Sequence, residues 1–517
     1  MAQRTQRGRS GPGRRPRPRS GGQRTHQAGR ADPVRRVAYD VLAAVDERDA
    51  YANLLLPALL RERGIEGRDA ALATELTYGT LRGLQTYDAV LDLCSDRPAR
   101  DIDPPVREVL RLGAHQLLAT RVASHAAVAT SVDLAKDVAG MRPAGFVNAV
   151  LRRIGTRDLD GWLAIVAPDR AADPEGHLAA VHSYPRWIVA AFRDALGEAP
   201  GGDLAETEQA LQAGNTRPQT TLVAIPGISD PGELAAGDDE PTRAPWSPFG
   251  VILPGGDPAA IPAVADGRAF VQDEASQLVA LALAHAPVDA ADPARPAAGP
   301  WLDICAGPGG KAALLAGLAQ QAQSGQAQSG QAQPGQAQPG QAQPGTHLIA
   351  SDLRPHRAGL TRDHLRRLPG AAAIAADGRH GPWRPGTFAR VLADVPCSGL
   401  GALRRRPEAR WRKSPEDVEG LVPLQRDLLN AAIDSTRPGG VVGYVTCTPH
   451  QDETEGVAGT VLAARDDVTV LDAPAILADA LGRPAPGVSR GPDGRYVQLW
   501  PHRHGTDALF LALLGKA

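Results

Sequence analysis

Aromatic side chains and cysteines are scarce in this 517-residue chain, and both shortages limit what it can be. Aromatic residues make up 4% of the sequence, so its cores must be built largely from Ala, Leu and Val. The four cysteines (Cys94, Cys305, Cys397 and Cys447) are widely spaced, with no CxxC pair and no neighbouring pair of histidines. This spacing argues against a disulfide framework and against a zinc site, so we expect no bound metal.

Long apolar runs are also missing. No stretch reaches the roughly 18 apolar residues that a membrane-spanning helix needs. The Arg-rich beginning of the chain lacks the apolar segment of a secretory signal. Free thiols in a chain of this size suit a reducing compartment. We therefore expect a soluble, cytoplasmic protein without a membrane partner.

The chain is too long for one ordinary domain, and its net charge of −2 conceals an uneven distribution. Residues 1–31 are rich in Arg, Gly, Pro and Ser and contain no acidic residue. Such a composition cannot bury a core, which predicts a disordered tail. The tail is either an electrostatic arm for phosphate backbones or a solvated extension without function.

Residues 32–158 have the apolar spacing of amphipathic helices, beginning with PVRRVAYDVLAAV, and predict an all-α domain. The phrases YANLLLPALL, RDAALATELTYGTLR, REVLRLGAHQLL, HAAVATSVDLAK and GFVNAVLRR follow one another in order. Together they resemble the RNA-binding helical domain shared with the antitermination factor NusB. The resemblance implies that this domain contacts RNA.

Residues 266–517 alternate apolar runs with helical patterns. The runs WLDI, THLIASD, AAAIAAD, RVLADV and GVVGYVT each end near Asp or Cys. This alternation predicts a Rossmann-like α/β domain with a parallel sheet. Ligands of such sheets bind outside the carboxyl ends of the strands, so the terminal Asp and Cys residues should meet in one cleft. Residues 159–265, rich in Asp, Gly and Pro, predict a linker or a small subdomain.

Five tandem pentapeptides, QAQSG twice and QAQPG three times, occupy residues 321–345. Repeats this short build no solenoid, and their composition predicts a disordered surface insertion. Without the insertion, Asp303 and Asp352 are about 24 positions apart, close to the roughly 20 residues between a nucleotide-binding turn and its ribose-binding acid.

The glycine turn CAGPGGK follows the WLDI run and opens a helix, where backbone N–H groups favour a carboxylate or phosphate. Its spacing is not that of a P-loop. Asp352 after LIAS is placed to accept ribose hydroxyls, and Asp377 in AADGR is placed to hold an adenine amino group. Each aspartate alone would more often be a cap or turn residue, but three on successive strand ends favour a nucleoside site.

Two thiols, Cys397 in ADVPCSGLG and Cys447 in YVTCTPHQDETE, end two further strands. A thiolate can add to C6 of a pyrimidine and make C5 nucleophilic enough to attack an electrophilic methyl group. Asp394, three residues before Cys397, is placed to stabilise the charge that develops near N3. The residues alone leave open which thiol attacks, because DNA cytosine-5 methyltransferases use the PC-type cysteine.

A second resemblance rests on DICAGPGGK, ASDLRPHR, AADGR, ADVPCSGLGALRRRPEARW, PGGVVGYVTCT with ETE, and the late HRHGTDALF. These motifs resemble, in order, those of the RNA cytosine-5 methyltransferases, and with the NusB-like region they resemble the bacterial small-subunit rRNA enzymes of the RsmB (Sun/Fmu) type. The resemblance implies that Cys447 is the nucleophile, that Cys397 assists release, and that residues 159–265 form a small RNA-contacting subdomain. It implies S-adenosylmethionine contacts at Cys305, Ala306, Gly307, Pro308, Gly309, Gly310, Lys311, Asp352, Asp377 and Asp394.

The basic run LRRRPEARWRK follows Cys397 directly. It is either an exposed loop without function or a set of phosphate contacts beside the cleft. We favour RNA contact, and the candidate residues are Arg404, Arg405, Arg406, Arg410 and Arg412.

The sequence therefore predicts an α+β multidomain protein, with an all-α NusB-like domain followed by a Rossmann-like methyltransferase domain. The expected activity is S-adenosylmethionine-dependent formation of 5-methylcytosine in 16S rRNA or a small-subunit precursor, through a covalent cysteine–C6 adduct. The alternatives are the same chemistry on tRNA or another rRNA site, and a non-catalytic RNA-binding or antitermination factor.

Overall fold

The computed structural model describes residues 31–234, 241–289, 299–329 and 348–517. The predicted Arg-rich tail lies outside the described residues except for Ala31. Within the described ranges, no helix combines the length and apolar character needed to cross a bilayer.

The N-terminal region is entirely helical, as the apolar spacing predicts. The first helix starts where Asp32 accepts a hydrogen bond from the Arg35 N–H and Pro33 occupies the first turn, a favourable pair of start signals. Its apolar stripe, including Val37 and Val41, is buried in a core shared by the neighbouring helices. The helices are α1 (Pro33–Arg48), α2 (Ala52–Glu62), α3 (Gly67–Arg82), α4 (Leu84–Cys94), α5 (Pro104–Ala119), α6 (Ser124–Ala139) and α7 (Ala144–Ile154).

Four more helices and a small antiparallel sheet follow. Tyr184 and Phe192 of this region belong to a separate core, which also includes Leu400 and Trp500 from the C-terminal region. The sheet has the order β2-β3-β1-β4, and its last strand lies beyond residue 265. The elements are α8 (Leu159–Val166), α9 (Pro174–His182), α10 (Arg186–Leu196), α11 (Ala205–Asn215), β1 (Thr220–Ala224), β2 (Thr242–Arg243), β3 (Gly250–Leu253), α12 (Pro262–Ala265) and β4 (Ala269–Val271).

The C-terminal region is a nine-stranded mixed sheet with helices on both faces, and buried apolar clusters cover each face. Its elements are α13 (Glu274–His285), β5 (Trp301–Asp303), α14 (Gly310–Ser329), β6 (Leu348–Asp352), α15 (Pro355–Leu365), β7 (Ala371–Ala375), β8 (Phe388–Asp394), α16 (Pro415–Ser435), β9 (Thr436–Thr446), α17 (Glu455–Ala463), β10 (Val468–Val470), α18 (Ala473–Leu481), β11 (Val488–Arg490), β12 (Tyr496–Leu499), α19 (Pro501–His504) and β13 (Leu509–Lys516).

The strand order explains where a ligand can bind. Along the sheet the order is β11-β12-β13-β9-β8-β5-β6-β7, and β10 pairs with β13. Strands β9, β8, β5, β6 and β7 are parallel, whereas β13 and the strands beyond it are antiparallel. The chain winds outward in both directions from the β5–β8 boundary, and this switch point is where doubly wound sheets bind ligands. The predicted α/β architecture is confirmed.

The repeat differs from the predicted disorder over its first part. Helix α14 continues to Ser329, so residues 321–329 are helical, whereas residues 330–345 lie outside the described residues. Gln and Ala are good helix formers, and the first proline of the repeat is Pro334. The residues of the first repeats therefore favour the continuation of α14.

One arginine of the basic run, Arg410, lies where three parts of the molecule meet. Its side chain is fully buried over the ring of Tyr184. The guanidinium donates to the Tyr184 hydroxyl (2.7 Å) and to the carbonyl oxygens of Arg82, Ser183 and Gly214 (3.4, 3.2 and 3.2 Å). The prediction of a phosphate contact at Arg410 was wrong, because the guanidinium is enclosed and its two terminal nitrogens donate to internal oxygens.

Arg412 is also engaged within the protein. Its guanidinium donates to the carbonyl oxygens of Val45, Asp49 and Ala50 at the end of α1, at 2.8–3.0 Å. Arg406, in contrast, is exposed and lies 5.6 Å from the centre of the Tyr51 ring. Arg406 is exposed, and its contact with RNA stays a prediction.

Replacing Arg410 with Met should destabilise the protein. The substitution leaves several buried oxygens without donors, and each such loss costs about 1–3 kcal/mol. We expect the midpoint of thermal unfolding to fall by several degrees, measured by calorimetry. The matched control is Arg406→Met, which removes an exposed guanidinium and should leave the midpoint almost unchanged. Equal shifts in the two variants would contradict the structural role of Arg410.

Candidate functional site

The two thiols predicted to carry the chemistry lie in contact. Cys397 follows β8 and Cys447 follows β9, and their Sγ atoms are 3.3 Å apart. Both side chains are partly buried. The hydrogen bond from Cys397 lowers the pKa of Cys447, and the nearby Lys311 ammonium acts in the same direction. The same bond and burial raise the pKa of Cys397. Cys447 is therefore the more acidic thiol of the pair.

An ion pair lies beside the thiols. Lys311 in the first turn of α14 donates to Asp394 at the end of β8, with 2.8 Å between Nζ and Oδ2. Burial alone would lower the pKa of Lys311, but the Asp394 carboxylate outweighs it and raises the pKa. Lys311 therefore remains a cation, and its charge acts on Cys447.

Backbone contacts fix the two thiol-bearing loops against each other. The Gly401 N–H donates to the Cys447 carbonyl oxygen at 2.9 Å. A Cβ atom at Gly401 would lie 1.8 Å from the Ala508 carbonyl oxygen, so only glycine fits here. The Glu453 carboxylate accepts from the Ser398 N–H (2.7 Å) and from the Gln425 side chain (2.9 Å). These contacts hold the residues beside Cys397.

A buried charge cluster anchors the same loop farther along. Arg404 donates to Asp507 (2.5 Å) and Asp273 (2.9 Å), and Arg405 donates to the same two carboxylates. Arg404 also donates to the carbonyl oxygen of Gly505. Arg404 is 7% exposed, so the prediction that it contacts phosphate was wrong. Arg405 is only partly buried, but its guanidinium is also committed to the two carboxylates.

The glycine turn approaches β6 closely. The Gly307 N–H donates to Asp352 Oδ2 at 3.1 Å, and a Cβ atom at Gly307 would lie 2.3 Å from that oxygen. The turn leads into the N-terminus of α14, whose free N–H groups favour an anion. Asp377 lies beyond β7 and forms an ion pair with Arg379 at 2.7 Å. The free N–H groups of α14 and the carboxylates of Asp352 and Asp377 therefore suit a ligand that combines an amino-acid carboxylate with a nucleoside.

Asp303, at the end of β5, is a carboxyl group without charge at neutral pH. It is 1% exposed, and burial together with the neighbouring Asp394 raises its pKa to about 8. Its Oδ1 accepts from the Cys305 N–H at 3.2 Å, and its buried Oδ2 has no hydrogen-bond partner among the described residues. Because Asp303 is neutral, Lys311 can pair with Asp394 without a competing carboxylate.

No group of three or more His, Cys, Asp or Glu side chains in the described part of the chain has the arrangement of a metal site.

Comparison with known proteins decides the family. The family model of the 16S rRNA methyltransferases RsmB/F matches residues 340–515, and the NusB family model matches residues 32–156. The chain is 50% identical over 499 residues to Rv1407 of Mycobacterium tuberculosis, whose name assigns it to the methyltransferases; the alignment covers 96% of this chain and 99% of Rv1407. The chain belongs to the RsmB/F family of 16S rRNA methyltransferases.

A second relative is the ribosomal RNA small subunit methyltransferase B of Pseudomonas syringae, 29% identical over 490 residues, or 93% of this chain and 96% of the relative. The crystal structure of PH0851 is similar in fold, with a TM-score of 0.71 and 20% identity, and covers 94% of this chain and 99% of its own. Membership of the RsmB/F family makes the chain an RNA methyltransferase with a NusB-like domain, as the sequence motifs imply.

Four carboxylates of this RsmB/F protein received no role from the sequence. Asp303, Glu453 and Asp507 lie in the motifs DICAGPGGK, ETE and DALF, so their presence in motifs was a usable signal. Asp273, in VQDEAS, lies in none of the quoted motifs. Its position opposite Arg404 depends on the fold and had no local signal.

Replacing Cys397 with Ala should raise the pKa of Cys447 in this RsmB/F enzyme, because the variant lacks the hydrogen bond that favours the Cys447 thiolate. The midpoint of Cys447 alkylation by iodoacetamide should therefore move to higher pH, measured as rate against pH by peptide mass spectrometry. Cys94→Ala, which removes a buried thiol of α4, is the control and should leave the midpoint in place. An unchanged or lower midpoint in Cys397→Ala would show that the hydrogen bond does not set the acidity.

Asp303→Asn should stabilise the protein increasingly as the pH rises. Between about pH 4 and pH 8 Asp303 loses its proton in the unfolded chain but keeps it in the folded one, so rising pH favours unfolding. The amide side chain of the variant does not titrate and escapes this loss. The unfolding midpoint of the variant minus that of the natural protein should grow from pH 5 to pH 8. The exposed Asp96→Asn should give a constant difference, and a constant difference for Asp303→Asn would refute the raised pKa.

Proposed function

We propose that this protein transfers a methyl group from S-adenosylmethionine to C5 of a cytosine in RNA, with Cys447 as the nucleophile. The observation that carries the proposal is the contact of two thiols, 3.3 Å apart, beside the Lys311–Asp394 ion pair at the switch point of the sheet. A pair of thiols of unequal acidity suits a reaction in which one adds to the base and the other assists its release.

The cofactor would be held at the carboxyl ends of β5, β6 and β7. The N-terminus of α14 after the turn Cys305–Lys311 suits the methionine carboxylate, and Asp352 suits the ribose hydroxyls. Asp377 is assigned to the adenine amino group, which would share the carboxylate with Arg379. When bound, S-adenosylmethionine supplies an electrophilic methyl group.

The thiolate of Cys447 begins the reaction by forming a bond to C6 of the cytosine. The electron pair of the C5–C6 double bond moves through the ring to N3, and the negative charge there is stabilised by Lys311 and Asp394, with a proton passing from the Lys311 ammonium through Asp394 to N3. C5 would then be nucleophilic and would take the methyl group as its bond to the cofactor sulfur breaks, leaving S-adenosylhomocysteine. The lowered pKa of Cys447 increases the thiolate fraction that can start this step.

Release of the product requires the reverse of the addition. A base takes the C5 proton, the double bond re-forms, and the bond between C6 and Cys447 breaks. Cys397, in contact with the Cys447 sulfur, is the residue assigned to assist this step. Its raised pKa keeps it protonated until the adduct has formed, when the charge on Cys447 is gone.

Small-subunit rRNA is the proposed substrate. The family description and the name of the Pseudomonas syringae relative support this choice over tRNA or another rRNA site. The NusB family match over residues 32–156 supports an RNA-binding contribution from the N-terminal helices. Intact Cys397, Cys447 and Asp394 argue against a factor that has lost catalysis.

Cysteine substitution separates the two roles. Cys447→Ala should abolish the transfer of labelled methyl groups to RNA, because no thiol can add to C6. Cys397→Ala should accumulate a covalent protein–RNA adduct, visible as a slow band on a denaturing gel. Cys94→Ala should keep full activity and form no adduct. The opposite result, with adduct in Cys447→Ala, would overturn the assignment.

The substrate can be tested separately. Bisulfite sequencing of rRNA from a strain lacking the gene should show one 16S cytosine that has lost its methyl group, restored by the natural gene but not by Cys447→Ala. Loss of methylation in tRNA alone would replace the proposed substrate and leave the chemistry unchanged.

A further inference from the structure

A cleft of 230 Å³ separates the N-terminal helices from the helices that follow them. None of the residues assigned above to the thiols or the cofactor lines it. The lining comes from α3, α4 and α5 on one side and from α8, α9 and α11 on the other. The lining residues used below are Glu75, Arg82, His115, Ala119, His182 and Asn215.

Four buried polar atoms on these residues have no hydrogen-bond partner among the described residues: Arg82 Nε, His115 Nε2, His182 Nε2 and Asn215 Oδ1. The nearest carboxylates to the two histidine nitrogens, from Glu75 and Glu208, are 3.7 and 3.6 Å away, longer than a hydrogen bond. Unsatisfied buried groups are costly and rare, so their concentration at one cleft indicates a polar occupant.

The charges of the lining residues limit which ligands the cleft can bind. His115 is 2% exposed, and burial followed by the charge of Arg82 lowers its pKa to about 4. Burial also lowers the pKa of His182. The cleft therefore presents one cation, Arg82, together with one carboxylate, Glu75. A phosphate would meet that carboxylate, whereas a neutral ring with both donors and acceptors would match the set.

We propose that this cleft binds an unpaired nucleobase of the substrate RNA, distinct from the base at the thiol pair. Proteins read unpaired RNA bases by hydrogen bonds along their edges. Arg82 and the histidines offer donors, and Asn215 Oδ1 and Glu75 offer acceptors. The volume lies just below the range of drug-sized pockets, which suits a heterocycle. The inference rests on the proposed function for its source of RNA.

The cleft contacts the segment that follows Cys397, which includes Arg404 and Arg410. The carbonyl oxygen of Arg82 accepts from Arg410, and the Arg82 guanidinium donates to the carbonyl oxygen of Arg404 at 3.4 Å. The cleft and the segment after Cys397 are therefore in direct contact through hydrogen bonds of Arg82. An RNA strand with one base in the cleft would be held in register with the thiol pair.

The test fills the cleft without removing a polar group. Ala119→Trp places a large ring at the exposed last residue of α5, and Ala129→Trp makes the same change on an exposed face of α6 that does not line the cleft. The full chain, saturated with S-adenosylhomocysteine to occupy the cofactor site, is mixed with adenosine, guanosine, cytidine or uridine. Saturation-transfer NMR then reports binding of each base.

At least one nucleoside should bind the natural protein and Ala129→Trp, and should bind Ala119→Trp about tenfold more weakly or not at all. A benzophenone amino acid at position 119 should crosslink to 16S rRNA, and one at position 129 should not. Equal binding by both Trp variants, or displacement of the nucleoside by inorganic phosphate, would overturn the base site. Methyl transfer to RNA is measured separately. An enzyme that transfers methyl groups but shows neither the difference in nucleoside binding nor the crosslink would refute the base site and leave the proposed function standing.

Discussion

Buried guanidinium groups fix the segment that follows Cys397, and the arrangement of the site depends on them. Arg404 and Arg405 share the carboxylates of Asp273 and Asp507, and the two terminal nitrogens of Arg410 donate to internal oxygens. Taking such charges out of water is costly unless nearly every donor finds a partner. The segment therefore has few alternative conformations, and Cys397 is placed by contacts from the N-terminal helices, from α13 and from the approach to β13.

The carboxyl groups at the strand ends explain the electrostatics of the site. Asp303, Asp352 and Asp394 end adjacent strands, and like charges so close cannot all be ionised in a buried setting. Burial keeps Asp303 neutral, Asp352 is bound by backbone N–H groups, and Lys311 compensates Asp394. The balance leaves the Lys311–Asp394 pair beside Cys447, where the ammonium lowers the pKa of the thiol and the carboxylate raises it. The lowered pKa of Cys447 therefore follows first from its contact with Cys397.

Much of this arrangement could be predicted from the sequence, because strand ends, the glycine turn and helical stripes are local patterns. Cys397, Cys447 and Asp394 converge for that reason. The burial of the basic run could not be predicted from the local sequence. The partners of Arg410 include Ser183, 227 positions away, and its burial depends on the packing of domains that are distant in sequence. The low complexity of the repeat predicted disorder, whereas the helix propensity of its Gln and Ala residues extends α14 to Ser329.

The internal pairing of these arginines changes how RNA recognition must work. A run of basic residues in contact with phosphates would give strongly salt-dependent binding, since each neutralised phosphate releases counterions. Guanidinium groups that are already paired with Asp273, Asp507 or backbone oxygens cannot contribute fully to this release of counterions. RNA recognition by this segment must then depend more on contacts with bases and on shape, as is usual for unpaired RNA. The cleft is lined by hydrogen-bond donors and acceptors without partners, and Arg410 joins it to the segment after Cys397. Such a cleft suits contacts with bases, which a basic surface would not provide.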